Sequence, residues 1–159
     1  MTIRRISDYF EPLVKSVLLP IEPGEAFLVF TRDIAKWWPR NKGHSVFGDE
    51  SRTCGIEPFA GGEIFEESIS GQRAVWGTVR RWEPGRVVEF SWHPGRDEET
   101  AQAVVVTFAA EAGGTRITLE HRDWEKLGTA AESTRARYAP GWQSVLGELV
   151  RFSTGAASR

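Results

Sequence analysis

The sequence predicts an α+β domain in which a curved antiparallel sheet wraps around one long C-terminal helix, with two short helices after the first strand. Three observations carry this expectation. In the middle of the chain, runs of alternating apolar and polar residues are separated by the turn signals "FAGG", "EPGR" and "EAGG" at the regular spacing of a meander. Between 128 and 153 the apolar period lengthens to three or four, placing Tyr138, Trp142, Val145 or Leu146, Leu149 and Phe152 on one stripe. An earlier stripe of the same spacing runs through Phe27, Phe30, Ile34 and Trp37 or Trp38. A sheet with one apolar face and an amphipathic helix satisfy each other when the helix lies across the concave side.

Taken in order, "PLVKSVLLP" (12–20) predicts a first strand closed by a proline. In "IEPGEAFLVFTRDIAKWWPR", Thr31 is expected to cap a second helical piece and Pro39 to end it. A polar loop, 41–51, precedes the strands. "TCGIEP" pairs with "EIFEES", "RAVWGTVRRW" with "RVVEFSWH", and "TAQAVVVTFAA" with "TRITLEH". In the last segment Pro140-Gly141 interrupts the stripe, so a lead-in followed by a long helix with Pro140 in its first turn is expected. No repeat or linker divides 1–159, which reads as a single domain with loosely ordered ends at 1–10 and 154–159.

Hairpin arithmetic then assigns faces. A four-residue "EPGR" loop sets Trp82 against Val87, Val79 against Phe90 and Gly77 against Trp92. Val75, Val79, Val88, Phe90 and Trp92 then share the apolar face. Arg80–Glu89 and Thr78–Ser91 pair outside, with Trp76 and Trp82. An "EAGG" loop pairs Phe108 with Ile117, Val106 with Leu119 and Val104 with His121, which puts an imidazole on the face of Trp92. If "SG" at 70–71 forms the preceding turn, Glu66 opposes Val75 and also points inward. A slip of one residue would reverse that face.

The composition narrows the function classes. Lys and Arg number 20 against 22 Asp and Glu, a balance that gives no support for nucleic-acid or membrane binding. The lone cysteine, Cys54, excludes an intramolecular disulfide and fits a reducing compartment. "MTIRRISDYFEPLVKSVLLP" does not read as a signal peptide, so the expected location is cytoplasmic. His44, His93, His121 and Cys54 have no paired metal-ligand spacing, and the glycine pairs lack a phosphate-loop context, so no metal or cofactor is expected. Seven tryptophans are unusual for this length, and several on one inward surface would line a pocket.

The segments "PGEAFLVFTRDIAKWWP", "GGEIFEE", "WGTVRRWEPGRVVEFSWH", "GGTRITLEHRDW" and "YAPGWQSVLGELVRF" occur in this order over nearly the whole chain. Together they resemble the activator-of-heat-shock-protein-90-ATPase-like branch of the START-like (SRPBCC) superfamily. The resemblance implies a helix-grip fold with a cavity between sheet and C-terminal helix. It does not name a ligand, because the superfamily includes lipid carriers, hormone receptors, cyclases and co-chaperones. The chain departs from the family pattern where a double proline before the central strand is replaced by Pro84-Gly85, and it has no room for the separate chaperone-binding domain of eukaryotic activators.

The functional expectation is a domain that binds a small apolar or aromatic molecule as carrier, sensor or sequestering protein. Its binding residues would be Trp38, Glu66, Phe90, Trp92, His121, Trp124, Tyr138 and Trp142. His121 is either a satisfied inner-face histidine or a polar contact to the ligand. An alternative is a cyclase- or hydrolase-type enzyme in which Glu66 and His121 form an acid/base couple. A third is a co-chaperone-like module working through its surface, with a homodimer or a chaperone as partner.

Overall fold

The computed structural model describes residues 10–157, with side chains described to residue 155. Seven strands form one antiparallel sheet: β1 (Leu13–Leu19), β2 (Ser51–Ile56), β3 (Glu63–Ser68), β4 (Arg73–Glu83), β5 (Val87–Trp92), β6 (Gln102–Glu111) and β7 (Gly114–Arg122). Their spatial order is β1-β7-β6-β5-β4-β3-β2. Helices α1 (Pro23–Thr31) and α2 (Ile34–Trp37) follow β1, and α3 (Ala131–Ala157) closes the chain. The predicted helix-grip architecture is the observed one.

Local chemistry accounts for the helices. Pro23 opens α1 with its fixed φ and no wasted N–H, and Glu25 sits at the positive end of the helix dipole. Ala26, Phe27, Val29 and Phe30 are the buried residues of its inner face. Thr31 belongs to α1 and caps nothing; its hydroxyl donates to the Phe27 carbonyl at 2.7 Å. The N-cap position of α2 is Asp33. Trp38, the residue before Pro39, is extended (ψ 125°) and ends α2, as pre-proline sterics require. In α3, Pro140 lies in the helix interior and not in the first turn, because the helix begins nine residues earlier. The lead-in, Trp124–Ala130, is a 3₁₀ segment broken at Gly128 (φ 55°). The helix is described to residue 157, and the Ser153 and Thr154 hydroxyls donate back to the Leu149 and Val150 carbonyls. Residues 1–9 and 158–159 lie outside the described part.

The core fills the concave side. Phe27 meets Trp82 and Phe108 edge-on at 5.0 and 5.2 Å, and Phe30 meets Phe108 at 5.9 Å. Val88, Phe90, Val104, Val106, Ile117 and Leu119 from the sheet and Val145, Leu146 and Leu149 from α3 are all buried. Each such side chain contributes roughly 1.5–3 kcal/mol relative to exposure.

The β6–β7 register is as predicted, Val104 opposite His121 and Phe108 opposite Ile117, although pairing continues to Glu111–Gly114 and leaves a two-residue turn. β4 departs from prediction. Its turn is Glu83–Arg86 with Gly85 at φ 78° and Arg86 N–H donating to the Glu83 carbonyl, so Trp82 opposes Val88, not Val87. A bulge at Arg80 restores Val79 opposite Phe90. A second bulge at Trp76 lies between Ile64–Gly77 and Phe65–Val75, which leaves Glu66 opposite Ala74 rather than Val75. These two extra residues change the faces. Trp76 is 1% exposed and Trp82 half-buried against Phe27, so neither is on the outer surface. Arg81, not Arg80, opposes Glu89. Ser91 is buried, its hydroxyl accepting from the Thr78 N–H at 2.8 Å. Gly77 faces Ser91 rather than Trp92; a Cβ there would lie 1.6 Å from the Ser91 carbonyl oxygen, so only glycine permits this approach.

Candidate functional site

Four indoles meet where α2, β4, β5 and α3 converge. Trp38 lies 5.2 Å from Trp76, 6.0 Å from Trp92 and 5.9 Å from Trp142, ring centre to ring centre, and Trp92 lies 5.3 Å from Trp142. Each ring is fixed by its N–H. Trp38 donates to the His44 carbonyl at 2.8 Å, Trp76 to Glu66 Oε1 at 3.1 Å, Trp92 to the Tyr138 hydroxyl at 3.0 Å and Trp142 to His121 Nδ1 at 2.9 Å. Indoles whose polar edges are tied off present apolar surface to whatever lies beside them.

Beside them are two adjoining cavities of about 430 and 360 Å³ that share Trp38, His44, Pro94 and Tyr138 as walls. The first continues along α3 past Thr134, Arg137, Gly141, Trp142 and Val145, with Arg96 opposite. The second opens between the 43–46 loop and Pro94-Gly95, over Trp76 and Trp92. Both volumes fall in the range of small-molecule sites. Among the described residues, two arginines and no carboxylate line the larger of the two.

Of the predicted residues, Trp38, Trp92, Tyr138 and Trp142 are cavity walls. Phe90 and Trp124 belong to the core, 1% and 0% exposed. Glu66 and His121 are both fully buried, but the structure does not join them into the expected couple. Glu66 accepts from the Val46 N–H at 2.7 Å, the Phe47 N–H at 3.2 Å and Trp76. Its carboxylate therefore clamps the loop that carries His44. His121 is stacked on Trp124 at 4.1 Å, meets Tyr138 edge-on at 4.9 Å and accepts from Trp142.

The imidazole's state follows from these partners. Indole N–H only donates, so His121 Nδ1 must accept, and the neutral ring carries its proton on Nε2. Burial, reinforced by the Arg96 charge, pushes its pKa down to about 3, so the ring is neutral at ordinary pH. Nε2 has no partner among the described residues, and neither has Gln102 Nε2. A buried donor left unpaired costs roughly 1–3 kcal/mol. The Gln102 carbonyl is taken by Arg96 at 3.1 Å, and Arg96 is further held by the Trp92 carbonyl and by Thr100. Among the described residues no carboxylate is a hydrogen-bond partner of Arg96.

Sequence reasoning missed His44, Arg96, Gln102 and Trp76. His44 sits in the loop read as polar, Arg96 in the connection after β5, and Gln102 in a predicted strand but ahead of the residues whose faces were assigned; Trp76 turns inward at the bulges. Pro94-Gly95, closing an aromatic strand ahead of an arginine, was the available signal for Arg96. His44 is half-buried over Gly141, and burial lowers its pKa. The Tyr138 hydroxyl accepts from Trp92, which leaves its own proton for another group. Burial pushes the Cys54 thiol up to about 12, so it is not a nucleophile. Among the described residues no His, Cys, Asp and Glu group of three suits a metal, and no helix is long and apolar enough to cross a membrane.

Solved structures share this architecture. An anthrahydroquino-gamma-pyrone synthase, Txn09, is 28% identical over 88% of this chain and 95% of its own, with a TM-score of 0.61. Protein MLL2253 from Mesorhizobium loti is 13% identical over 89% and 95%, with a TM-score of 0.66. The Aha1 dimer from Colwellia psychrerythraea is 14% identical over 88% and 93%, with a TM-score of 0.62. Among curated proteins none matches the chain. Residues 21–153, from the end of β1 through most of α3, match the activator of Hsp90 ATPase homolog 1-like protein family, and the chain belongs to that family.

Proposed function

We propose that this protein binds a small, mainly aromatic molecule between the indole cluster, the 43–46 loop and α3. The observation that carries the reading is the cavity pair walled by Trp38, Trp76, Trp92, Trp142 and Tyr138, whose indole N–H groups are already satisfied from within. Such walls give burial and shape, while Tyr138, His44 and Arg96 orient polar groups. Equilibrium dialysis with 1-aminoanthracene tests it: a saturable bound fraction with quenched tryptophan emission is expected, and Trp92→Ala should weaken both at least fivefold once folding is verified. Absence of any bound fraction at saturating probe would refute the reading.

A catalytic role is the second reading, favoured by the 28% identity with a pyrone synthase. In this cavity proton transfer would fall to Tyr138 and His44, which face the space, rather than to Glu66 and His121. Incubation with aromatic polyketide-like compounds, followed by mass spectrometry, separates a carrier from an enzyme by whether the compound changes. Native mass spectrometry of the protein from its own host reads co-purifying small molecules, a second copy and a chaperone partner in one spectrum.

A further inference from the structure

Two donors without an acceptor among the described residues occupy diagonal strand positions behind the wall of the larger cavity. Gln102 is the inward residue of β6 one alternation before Val104, whose ladder partner is His121, so the two side chains are diagonal neighbours on the concave face. Both are 0% exposed, and each has a donor nitrogen without an acceptor among the described residues. The groups around them are also cavity walls. Arg96 bonds Gln102, Tyr138 lies against His121, and Trp142 donates to His121.

The set has one chemical sign. Gln102 Nε2 donates, and His121 Nε2 donates because Trp142 fixes the other nitrogen as acceptor. The Tyr138 hydroxyl has a proton to give, and Arg96 has only donors and a charge that no carboxylate among the described residues of the cavity wall offsets. A cationic or donor-rich ligand would find no partner at this end. An acceptor oxygen would find several.

Resting on the binding reading above, we propose that the ligand is an aromatic molecule bearing an acceptor oxygen (carboxylate, phenolate or ketone), and that Gln102 Nε2 and His121 Nε2–H receive this oxygen beside Arg96. The aromatic body lies against the indoles, and the oxygen enters past Arg96 and Tyr138. Specificity for the oxygen then comes from leaving buried donors unpaired when it is missing.

The test uses three probes of similar size: 2-naphthoate, 2-acetonaphthone and 2-ethylnaphthalene. Dialysis against the full chain should show the acid and the ketone bound at least tenfold more tightly than the hydrocarbon. In protein labelled with ¹⁵N-histidine, the His121 Nε2 proton should move downfield with the two oxygen-bearing probes and stay in place with the hydrocarbon. Gln102→Leu should bring the three affinities within about threefold; if that variant does not fold, the wild-type spectra decide alone. Equal affinities with an unmoved Nε2 proton, or an identical shift with all three probes, would overturn the proposal while leaving the cavity as a binding site. If none of the probes binds, the proposal and the binding reading fall together.

Discussion

Glu66 on β3 and His121 on β7 occupy equivalent positions in one respect: each is a fully buried ionisable side chain on the inward face of its strand. Their surroundings are opposite. The Glu66 carboxylate is met by three donors, two of them backbone N–H groups of the 46–47 loop, and its bonding is closed. The His121 ring is met on one nitrogen only, next to a glutamine amide in the same condition, and its bonding is open. A closed buried network fixes the structure, whereas an open one retains unspent bonding capacity beside a cavity. The two buried side chains thus differ in kind: Glu66 is a structural clamp, whereas His121 keeps an unspent donor, the one to which the proposed ligand oxygen is assigned.

The largest expected effect lies at the closed end. Glu66→Ala strands the buried Trp76 N–H together with the part-buried Val46 and Phe47 N–H groups, and the loss of all three partners costs on the order of 2 kcal/mol or more. Urea denaturation should show this loss. It should also show a smaller one for Glu66→Gln, whose amide keeps one acceptor oxygen. If Glu66→Ala falls within about 1 kcal/mol of wild type, the carboxylate does not hold the loop and the contrast with His121 collapses.

At the open end the expected signature is in the pH dependence. His121 titrates near 6.5 when unfolded and about 3 when folded, so between those values the unfolded state binds the extra proton. Stability is therefore unaffected by this group above pH 6.5 and falls as the pH drops from 6.5 towards 3. The slope is at most about 1.4 kcal/mol per pH unit. His44, whose pKa burial also lowers, adds in the same direction. Replacing the imbalance removes it: His121→Leu should flatten the acid limb of a stability–pH curve relative to wild type, even if it lowers the plateau by unpairing the Trp142 N–H. Parallel limbs for the two proteins would show that the ring is not held neutral by burial.

How much of this was legible depends on whether local turn chemistry or long-range packing decided it. The β6–β7 register followed from the turn and two apolar strands, and it brought His121 inward opposite Val104 without any knowledge of the helix. The helical stripe of α3 likewise named Tyr138 and Trp142, which the structure places in the cavity wall. β4 was not legible, because no residue of the strand itself marks the bulges at Trp76 and Arg80. The one at Arg80 lies between the Glu83–Arg86 turn and the Val79–Phe90 pair, and the one at Trp76 adjoins the close passage of Gly77 over Ser91, a contact made with the neighbouring strand. Trp76 and Trp82 moved inward with them. Gln102 and Arg96 were missed for a different reason: neither a glutamine at the start of a strand nor a loop arginine carries a local sign of burial, which comes from the packing of β5 and α3 around them.

The smallest expected effect tests that explanation of β4, the strand between the two polar sites. Arg80 is the extra residue at one bulge, its side chain is exposed, and it makes no ion pair among the described residues. The neighbouring charges are occupied elsewhere: Arg81 bonds Glu83, and Arg122 lies 3.7 Å from Glu89. The backbone of Arg80 carries the change of face, and its guanidinium does not. Deleting the residue would force either Trp82 or Val79 onto the wrong face, with a loss on the order of 2–3 kcal/mol. Arg80→Ala keeps the residue count and the bulge, so stability in urea should stay within about 0.5 kcal/mol of wild type and the affinity for 1-aminoanthracene should be unchanged. A substitution as costly as the deletion would mean that the side chain pairs across the strand with Glu89 after all, and that Trp76 and Trp82 owe their inward positions to something other than the bulges.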